Sequence, residues 1–306
     1  MQYDLVIIGG GPAGTAAAVY AARKRMKAAI ITETFGGQSV VSDDIQNWIG
    51  DGHISGVELA QKFEKHIKEY KEHLDIFEGS KVKNAEKIDG GFKVQTEDSK
   101  EYEAKTIFMA AGSRRRRLGI PGEDKYDGKG VAFCSTCDAP LFQGKDVAVI
   151  GGGNAGLEAA VDLLSYANKI YLMEKTDTLR GDKSTQEKIK GQDKVELIMH
   201  ASAKEVVGEQ FVTGLKYSDK DDAEQLLQVS GVFVEIGAVP NSDILSGLVK
   251  TNERGEIIVD HKTQQSSAEG IWAAGDVTDV LYKQNNISAG DAVKAILNIQ
   301  EYLQKS

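Results

Sequence analysis

Cysteine is almost absent from this chain: 306 residues hold only Cys134 and Cys137. Two thiols cannot staple a chain of this size, so a disulfide scaffold is excluded. By themselves they make a poor zinc site, because zinc takes four ligands. None of His53, His66, His73, His200 and His261 stands at ligand spacing from them. Proline is scarce, at 4 residues, whereas glycine is abundant, at 33. Many of those glycines fall where an apolar run gives way to a helix-forming one, which suits an α/β chain. No apolar run approaches the roughly 20 residues of a bilayer span. The start, Met1-Gln2-Tyr3-Asp4, has no basic segment before its first apolar run, so neither a signal peptide nor a membrane role is expected and the location is read as cytoplasmic. Positive charge is in deficit. The net charge of -9 argues against a nucleic-acid or anionic-membrane surface. A chain of 306 residues is expected to make two domains.

What is present centres on Cys134-Ser135-Thr136-Cys137-Asp138. Paired cysteines in a reducing compartment read as a redox dithiol, with metal ligation and inert buried thiols as the alternatives. The pair lies between two candidate dinucleotide turns. That order suggests electrons moving from one nucleotide, through another, to a dithiol.

The first turn opens the chain. The apolar run Leu5-Val6-Ile7-Ile8 reads as a central parallel strand. Gly9, Gly11 and Gly14 follow at G-x-G-x-x-G spacing, with Pro12 and Ala13 between them, and then an Ala-rich helix. The first glycine allows the tight turn, the second lets backbone approach a pyrophosphate, and the third lets helix and strand pack closely. Ala28 to Thr32 is the next strand. Glu33, 24 residues beyond Gly9, ends it where a carboxylate can accept from ribose hydroxyls.

Gly36, Gly37 and Gln38 break the pattern, as a loop or as backbone passing close to a ligand. Asn47-Trp48 is similarly ambiguous. Leu59, Phe63, Ile67 and Tyr70 predict an amphipathic helix over 56–73. Runs at 74–77, 81–88 and 91–96 read together as an antiparallel meander. Thr106 to Ala110 returns to a buried strand. Arg114 to Arg117 reads as a solvated linker, or as cations for a cofactor phosphate or a domain interface. Pro121-Gly122-Glu123 marks a boundary region.

Asp146 to Ile150 is a second central strand. Gly151, Gly153 and Gly156 repeat the spacing, with Asn154 and Ala155 between them. A helix over 154–165 and a strand over 169–173 lead to Glu174, 23 residues after Gly151. A carboxylate there favours a free 2′-hydroxyl and repels a 2′-phosphate, so NADH is expected rather than NADPH. Lys175 and Arg180 are nearby cations that oppose this preference. Strands are expected over 204–218, 226–229, 231–237 and 257–259. Gly270 to Asp276 is an apolar strand ending in Gly275-Asp276, with the carboxylate placed to meet a ribityl or phosphate-side hydroxyl. A final helix over 288–303 turns Ala292, Ile296, Ile299 and Leu303 inward.

These motifs together resemble the low-molecular-weight thioredoxin reductase family, and within it most nearly the reductase portion of the bacterial alkyl hydroperoxide reductase flavoprotein. The resemblance covers essentially the whole chain. It implies an α/β fold with two Rossmann-like, three-layer nucleotide-binding domains of the pyridine nucleotide-disulfide oxidoreductase type, the second inserted into the first. The FAD domain would occupy 1–114 and 243–306, and the NAD(H) domain carrying the C-x-x-C would occupy 115–242. A homodimer is also implied. By the same resemblance, Gly9 to Gly14 and Glu33 hold the FAD adenosine end. Gly36, Gly37, Gln38 and Asn47 lie near the flavin, as do Ala111-Gly112, where the family has Thr-Gly. Gly275-Asp276 and Lys283-Gln284 close over the ribityl chain and ring, and Gly151 to Gly156 with Glu158 bind the nicotinamide nucleotide. NADPH-using members carry a His-Arg-Arg cluster, with a further Arg, where this chain has Met173-Glu174-Lys175 and Arg180. Ala139 replaces the family's usual Gly, and the paired thioredoxin-like folds that precede the hydroperoxide reductase flavoprotein's reductase portion are not found in this sequence.

The implied activity is an NADH:protein-disulfide oxidoreductase. Hydride passes from NADH to FAD N5, and the reduced flavin then reduces Cys134–Cys137. Cys137 would face the flavin, Cys134 would attack a thioredoxin-like or glutaredoxin-like protein disulfide, and Asp138 would manage the thiol protons. Because a dithiol held at the flavin is hidden from a protein partner, the inserted domain is expected to swing, with hinges near 112–121 and 238–245. The competing functions are a flavoprotein NADH oxidase or diaphorase and a nucleotide-dependent redox sensor.

Overall fold

The computed structural model describes residues 2–42 and 44–305. The chain folds as two units, one of Met1–Val41, Ile45–Arg114 and Val239–Ser306, the other of Arg115–Ala238 with Ser42–Asp44.

In the first unit the chain runs β1 (Gln2–Gly10), α1 (Pro12–Arg23), β2 (Ala28–Phe35), α2 (Gly56–Lys68), β3 (Leu74–Glu78), β4 (Val82–Ile88), β5 (Gly91–Thr96) and β6 (Glu101–Met109). The sheet order is β3-β2-β1-β6-β5-β4. β1 is apolar without alternation because both its faces are covered. Leu5 and Ile7 point into a core with Ala17, Ala21 and Phe108, while Val6 and Ile8 point into another with Phe92, Val94 and Ile107. α2 starts at a capping box, in which Ser55 and Glu58 satisfy each other's backbone N–H groups. It buries Leu59, Phe63 and Ile67 but ends at Lys68, short of Tyr70.

One expectation is corrected. β3 does not belong to an antiparallel meander; it pairs parallel with β2, Leu74 opposite Ala28. The intervening α2 supplies the crossover that a parallel pair needs. In this sheet β4, β5 and β6 are the strands that run antiparallel to their neighbours in sequence.

β7 (Ser113–Arg115) carries the chain into the second unit. There follow β8 (Val131–Ala132), α3 (Ser135–Asp138), β9 (Asp146–Ile150), α4 (Asn154–Leu163), β10 (Lys169–Glu174), α5 (Lys183–Ile189) and β11 (Val195–Met199). Next come β12 (Ser202–Gly208), β13 (Val212–Ser218), β14 (Glu224–Gln228) and β15 (Gly231–Val234). The parallel sheet has the order β11-β10-β9-β15-β8, and β12-β13-β14 form a separate antiparallel sheet. The expected strand over 204–218 is therefore two strands of a hairpin. Val147 and Val149 of β9 face Leu157, Ala160 and Leu163 of α4, whereas Ala148 and Ile150 face Val206 and Leu215 of the antiparallel sheet. This unit is also three-layered.

β16 (Ala238–Pro240) leads back to the first unit. β17 (Ile271–Ala273) then adds to its sheet beside β6, and α6 (Asn285–Lys305) packs on α1 through Ala292, Ile296 and Ile299, with Leu303 partly buried. The buried Trp272 indole donates to Asn298 Oδ1 at 3.0 Å. Ile257 and Val259 make isolated bridges rather than the expected strand. Among the described residues no helix is long and apolar enough to cross a membrane.

Candidate nucleotide and disulfide sites

The first glycine turn works as its spacing demands. Gly9 has φ +109°, and a Cβ on Gly14 would lie 1.8 Å from the Gly9 carbonyl oxygen. Gly11 is different: its only non-local neighbour at that position would be Gly37 Cα, at 3.8 Å. The turn and the amino end of α1 face a cavity of about 700 Å³ that lies wholly within the first unit. Gly9, Gly11, Pro12, Ala13, Glu33, Gly37, Gln38, Ala111, Gly112, Gly275 and Asp276 all line it.

Five predicted residues do not line the cavity. Gly14 is buried beneath the turn, and Gly36 packs against Ala60. Asn47 and Gln284 hold each other, and Asn286 Nδ2 donates to the Asn47 carbonyl at 2.7 Å. Lys283 is turned to Glu256 at 3.0 Å and to the backbone carbonyls of Asp276 and Thr278. Conversely, Ser80, Lys81 and Asn241 line the cavity although the sequence marked none of them. Asn241 Nδ2 donates to the Ala111 carbonyl at 2.7 Å, and its backbone N–H donates to Gly112 at 3.0 Å. A lone Asn after Pro240 carries no signal for this without the fold.

In the second unit, Gly151 has φ +125° and a Cβ on Gly156 would lie 1.7 Å from its carbonyl oxygen. Gly153 has open space. Asn154 Oδ1 accepts from the Asp182 N–H at 2.7 Å, Ala155 is partly exposed, and Glu158 and Lys175 are exposed. Glu174 is buried and bonded at both oxygens. It accepts from Gly152 N at 2.7 Å, Thr176 N at 3.0 Å and Thr176 Oγ1 at 3.1 Å. Burial opposes its charge, but the Thr176 and Gly152 N–H groups, the Thr176 hydroxyl and Arg180 outweigh that and hold the carboxyl below its usual range. Arg180 stands 3.6 Å from it.

The arginine run is not a bare solvated linker. Arg114 lines the first cavity and donates to Asn241 Oδ1 at 2.8 Å. Arg117 pairs with Asp124 at 3.0 Å and with Asp127, and lies over the Phe133 ring at 4.8 Å.

Cys134 and Cys137 are joined as a disulfide with Cα atoms 5.4 Å apart. Cys134 is the N-cap of α3, and its carbonyl accepts from the Asp138 N–H at 3.0 Å. Both cysteines and Asp138 are half-buried. The Asp138 side chain makes no capping hydrogen bond to the turn that follows, Ala139–Phe142. Ala139 takes ordinary helical angles, φ -52° and ψ -39°, and its β-carbon is buried beside Ala132 and Phe142. No glycine is required there.

A model of the pyridine nucleotide-disulphide oxidoreductase family matches residues 3–295. The chain belongs to that family. It is 41% identical over 302 residues to the NADH dehydrogenase of Bacillus subtilis, covering 98% of this chain and 58% of that protein. It is 42% identical over 302 residues to an alkyl hydroperoxide reductase subunit of Staphylococcus aureus, covering 98% and 59%. The chain thus spans under two thirds of the length of these curated relatives. Among solved structures, thioredoxin reductase from Streptococcus pyogenes superposes with a TM-score of 0.90 at 35% identity, over 100% of this chain and 99% of that one.

Membership of the pyridine nucleotide-disulphide oxidoreductases implies FAD and a nicotinamide nucleotide. The residues of the first cavity fit a flavin dinucleotide. The cavity is of ligand size, and Gly11 leaves room for phosphate at the amino end of a helix. It has carboxylates in its lining at both Glu33 and Asp276.

Proposed function

We propose that this oxidoreductase passes electrons from NADH, through FAD, to Cys134–Cys137 and on to the disulfide of a thioredoxin-like or glutaredoxin-like protein, acting as a homodimer. One observation carries this most: the chain's only two cysteines are bonded to each other and half-buried, with Asp138 directly following. When bound, FAD supplies hydride acceptance from the nicotinamide and two-electron transfer to a disulfide. The protein's part is positioning and proton handling. Gly9 to Ala13 and Glu33 receive the pyrophosphate and ribose, while Gln38, Gly112 and Asp276 line the remainder of the cleft. Gly151 to Gly156, Asn154 and Glu158 receive the second nucleotide. Asp138 holds the proton that the leaving thiolate needs. A dithiol held at the flavin would be hidden from a protein partner, so the pair has to alternate between flavin and partner. A swing about the chain crossings meets that need.

Glu174 supports NADH over NADPH. A buried carboxylate held in its charged form repels a 2′-phosphate, and the nearest cation, Arg180, is already turned to it. A second reading, a flavoprotein NADH oxidase or diaphorase, draws on the relative called NADH dehydrogenase. Anaerobic titration of the flavoprotein with NADH and NADPH tests the proposal. NADH is expected to bleach the flavin and then yield two new thiols per chain that reduce a thioredoxin disulfide. Steady NADH consumption with oxygen alone, unchanged by Cys134→Ser, would establish the oxidase instead.

A further inference from the structure

Glu235 follows β15 directly, in the otherwise apolar stretch Val232-Phe233-Val234-Glu235-Ile236, and its side chain is buried. Its backbone N–H donates to Ile150 at 2.9 Å, at the end of β9. Its carbonyl oxygen lies so close to Gly151 that a Cβ there would approach to 2.4 Å. The backbone N–H of Ser135, in the peptide that joins Cys134 to α3, favours the charged form of the carboxyl. Ser135 Oγ in turn donates to Asp162 Oδ2 on α4 at 2.8 Å. The charged groups facing Glu235 are Arg115 from β7, Asp138 from α3 and Asp162 from α4. Two other carboxyls and one cation therefore act on Glu235, and Glu235 is the most buried of the three carboxyls.

We infer that Glu235 is a positioning residue for the redox step, whose carboxyl takes up a proton when the Cys134–Cys137 bond is reduced. A two-electron reductant such as a small dithiol opens the S–S bond and closes to its own disulfide, releasing two protons. One proton stays on one cysteine sulfur as a thiol. The other sulfur remains a thiolate, and the second proton ends on the Glu235 carboxylate. The new negative charge thus replaces a carboxylate's charge beside Asp138 instead of adding to it. The group is suited to this exchange. Burial pushes its carboxyl up to about 7, against Arg115 and the Ser135 N–H, with Asp138 and Asp162 adding to the rise.

This holds only if the pair is a working redox centre, as proposed above, and one experiment separates the two. The full flavoprotein and its Glu235→Gln variant are equilibrated with dithiothreitol redox buffers at pH 6 and pH 8.5, quenched, and their thiols counted by alkylation and mass. At pH 6 Glu235 is largely protonated, so the two proteins are expected to reduce alike. At pH 8.5 the wild-type disulfide is expected to be harder to reduce than the variant's, by up to about 30-fold, the limit set by the interval from about 7 to 8.5. A purely structural role for Glu235 predicts the same ratio at both pH values, and that result overturns the inference. A pair that never equilibrates in the wild type overturns the redox proposal and this inference with it. If Glu235→Gln does not fold, the infrared difference spectrum of the wild type at pH 7.5 decides. A protonated-carboxyl band that appears on reduction and shifts with ¹³C-glutamate is expected, and its absence overturns the inference.

Discussion

The Asn47 side-chain amide donates to Gln284 Oε1 at 3.2 Å, joining residues 237 positions apart. Around that contact Asn286 reaches the Asn47 carbonyl, and Asn285 donates to Ser39 Oγ at 3.0 Å. Ser39 and Asn285 line the first cavity, while Asn47 and Gln284 brace it from outside. Net hydrogen bonds of this kind contribute roughly 0.5–1.5 kcal/mol. Asn47→Ala is therefore expected to weaken FAD retention by about 3- to 10-fold, read from the fluorescence of flavin released on dilution. Unchanged retention would mean the brace contributes nothing to the cradle.

Gly11 and Gly14 separate a binding role from a folding role. Gly14→Ala drives a Cβ to 1.8 Å from a backbone carbonyl and is expected to cost about 3 kcal/mol or more in stability. Gly11 has extended angles, φ -74° and ψ -170°, that alanine also adopts. Gly11→Ala should keep its melting temperature within a few degrees and lose FAD, because the methyl group occupies the approach of the pyrophosphate. Gly153→Ala should do the same for the nicotinamide nucleotide. Normal FAD content in purified Gly11→Ala would remove the phosphate assignment.

The cysteines and Asp138 should divide the reaction in two. Cys137→Ser and Cys134→Ser are each expected to leave flavin reduction by NADH within about 3-fold of wild type and to abolish protein-disulfide reduction. Asp138→Asn should slow the dithiol steps by about 100-fold and flavin reduction little. Stopped-flow absorbance resolves the steps; equal slowing of both would deny Asp138 a proton-handling role.

Glu174 carries a pH dependence of stability with a definite sign. Its carboxyl is held below the usual range in the folded protein. Its charge therefore stabilises the fold fully above the unfolded value of about 4.3, and that contribution fades as pH falls through the lower folded value. Glu174→Gln should be less stable than wild type at pH 7, with the gap closing in the acid range below about pH 4. A gap independent of pH, in urea melts at pH 7 and pH 3, would contradict it. Glu174→Ala should also relax nucleotide preference toward NADPH, measured as the ratio of kcat/KM values.

Legibility in the sequence followed the range of the interaction. Gly9 with Gly14, Gly151 with Gly156, and Cys134 with Cys137 lie within a few residues of each other, so spacing alone dictates their backbone geometry. The strands β1 and β9 announced themselves because burial on two faces leaves no polar alternation. The antiparallel reading of β3 fails because a short strand carries no mark of its direction. Its parallel pairing depends on where α2 sends the chain.

By itself, the order of residues determined that two G-x-G-x-x-G turns flank a C-x-x-C pair, since a turn, a cap or a C-x-x-C is specified by its immediate neighbours. Only tertiary structure decided that Asn241 meets Ala111, that Gln284 meets Asn47, and that Glu235 lies against the peptide after Cys134. The first two contacts join residues 130 and 237 positions apart, and Glu235 stands 100 positions after Ser135. Sheet order and packing bring them together, and no local pattern encodes which distant side chain will arrive.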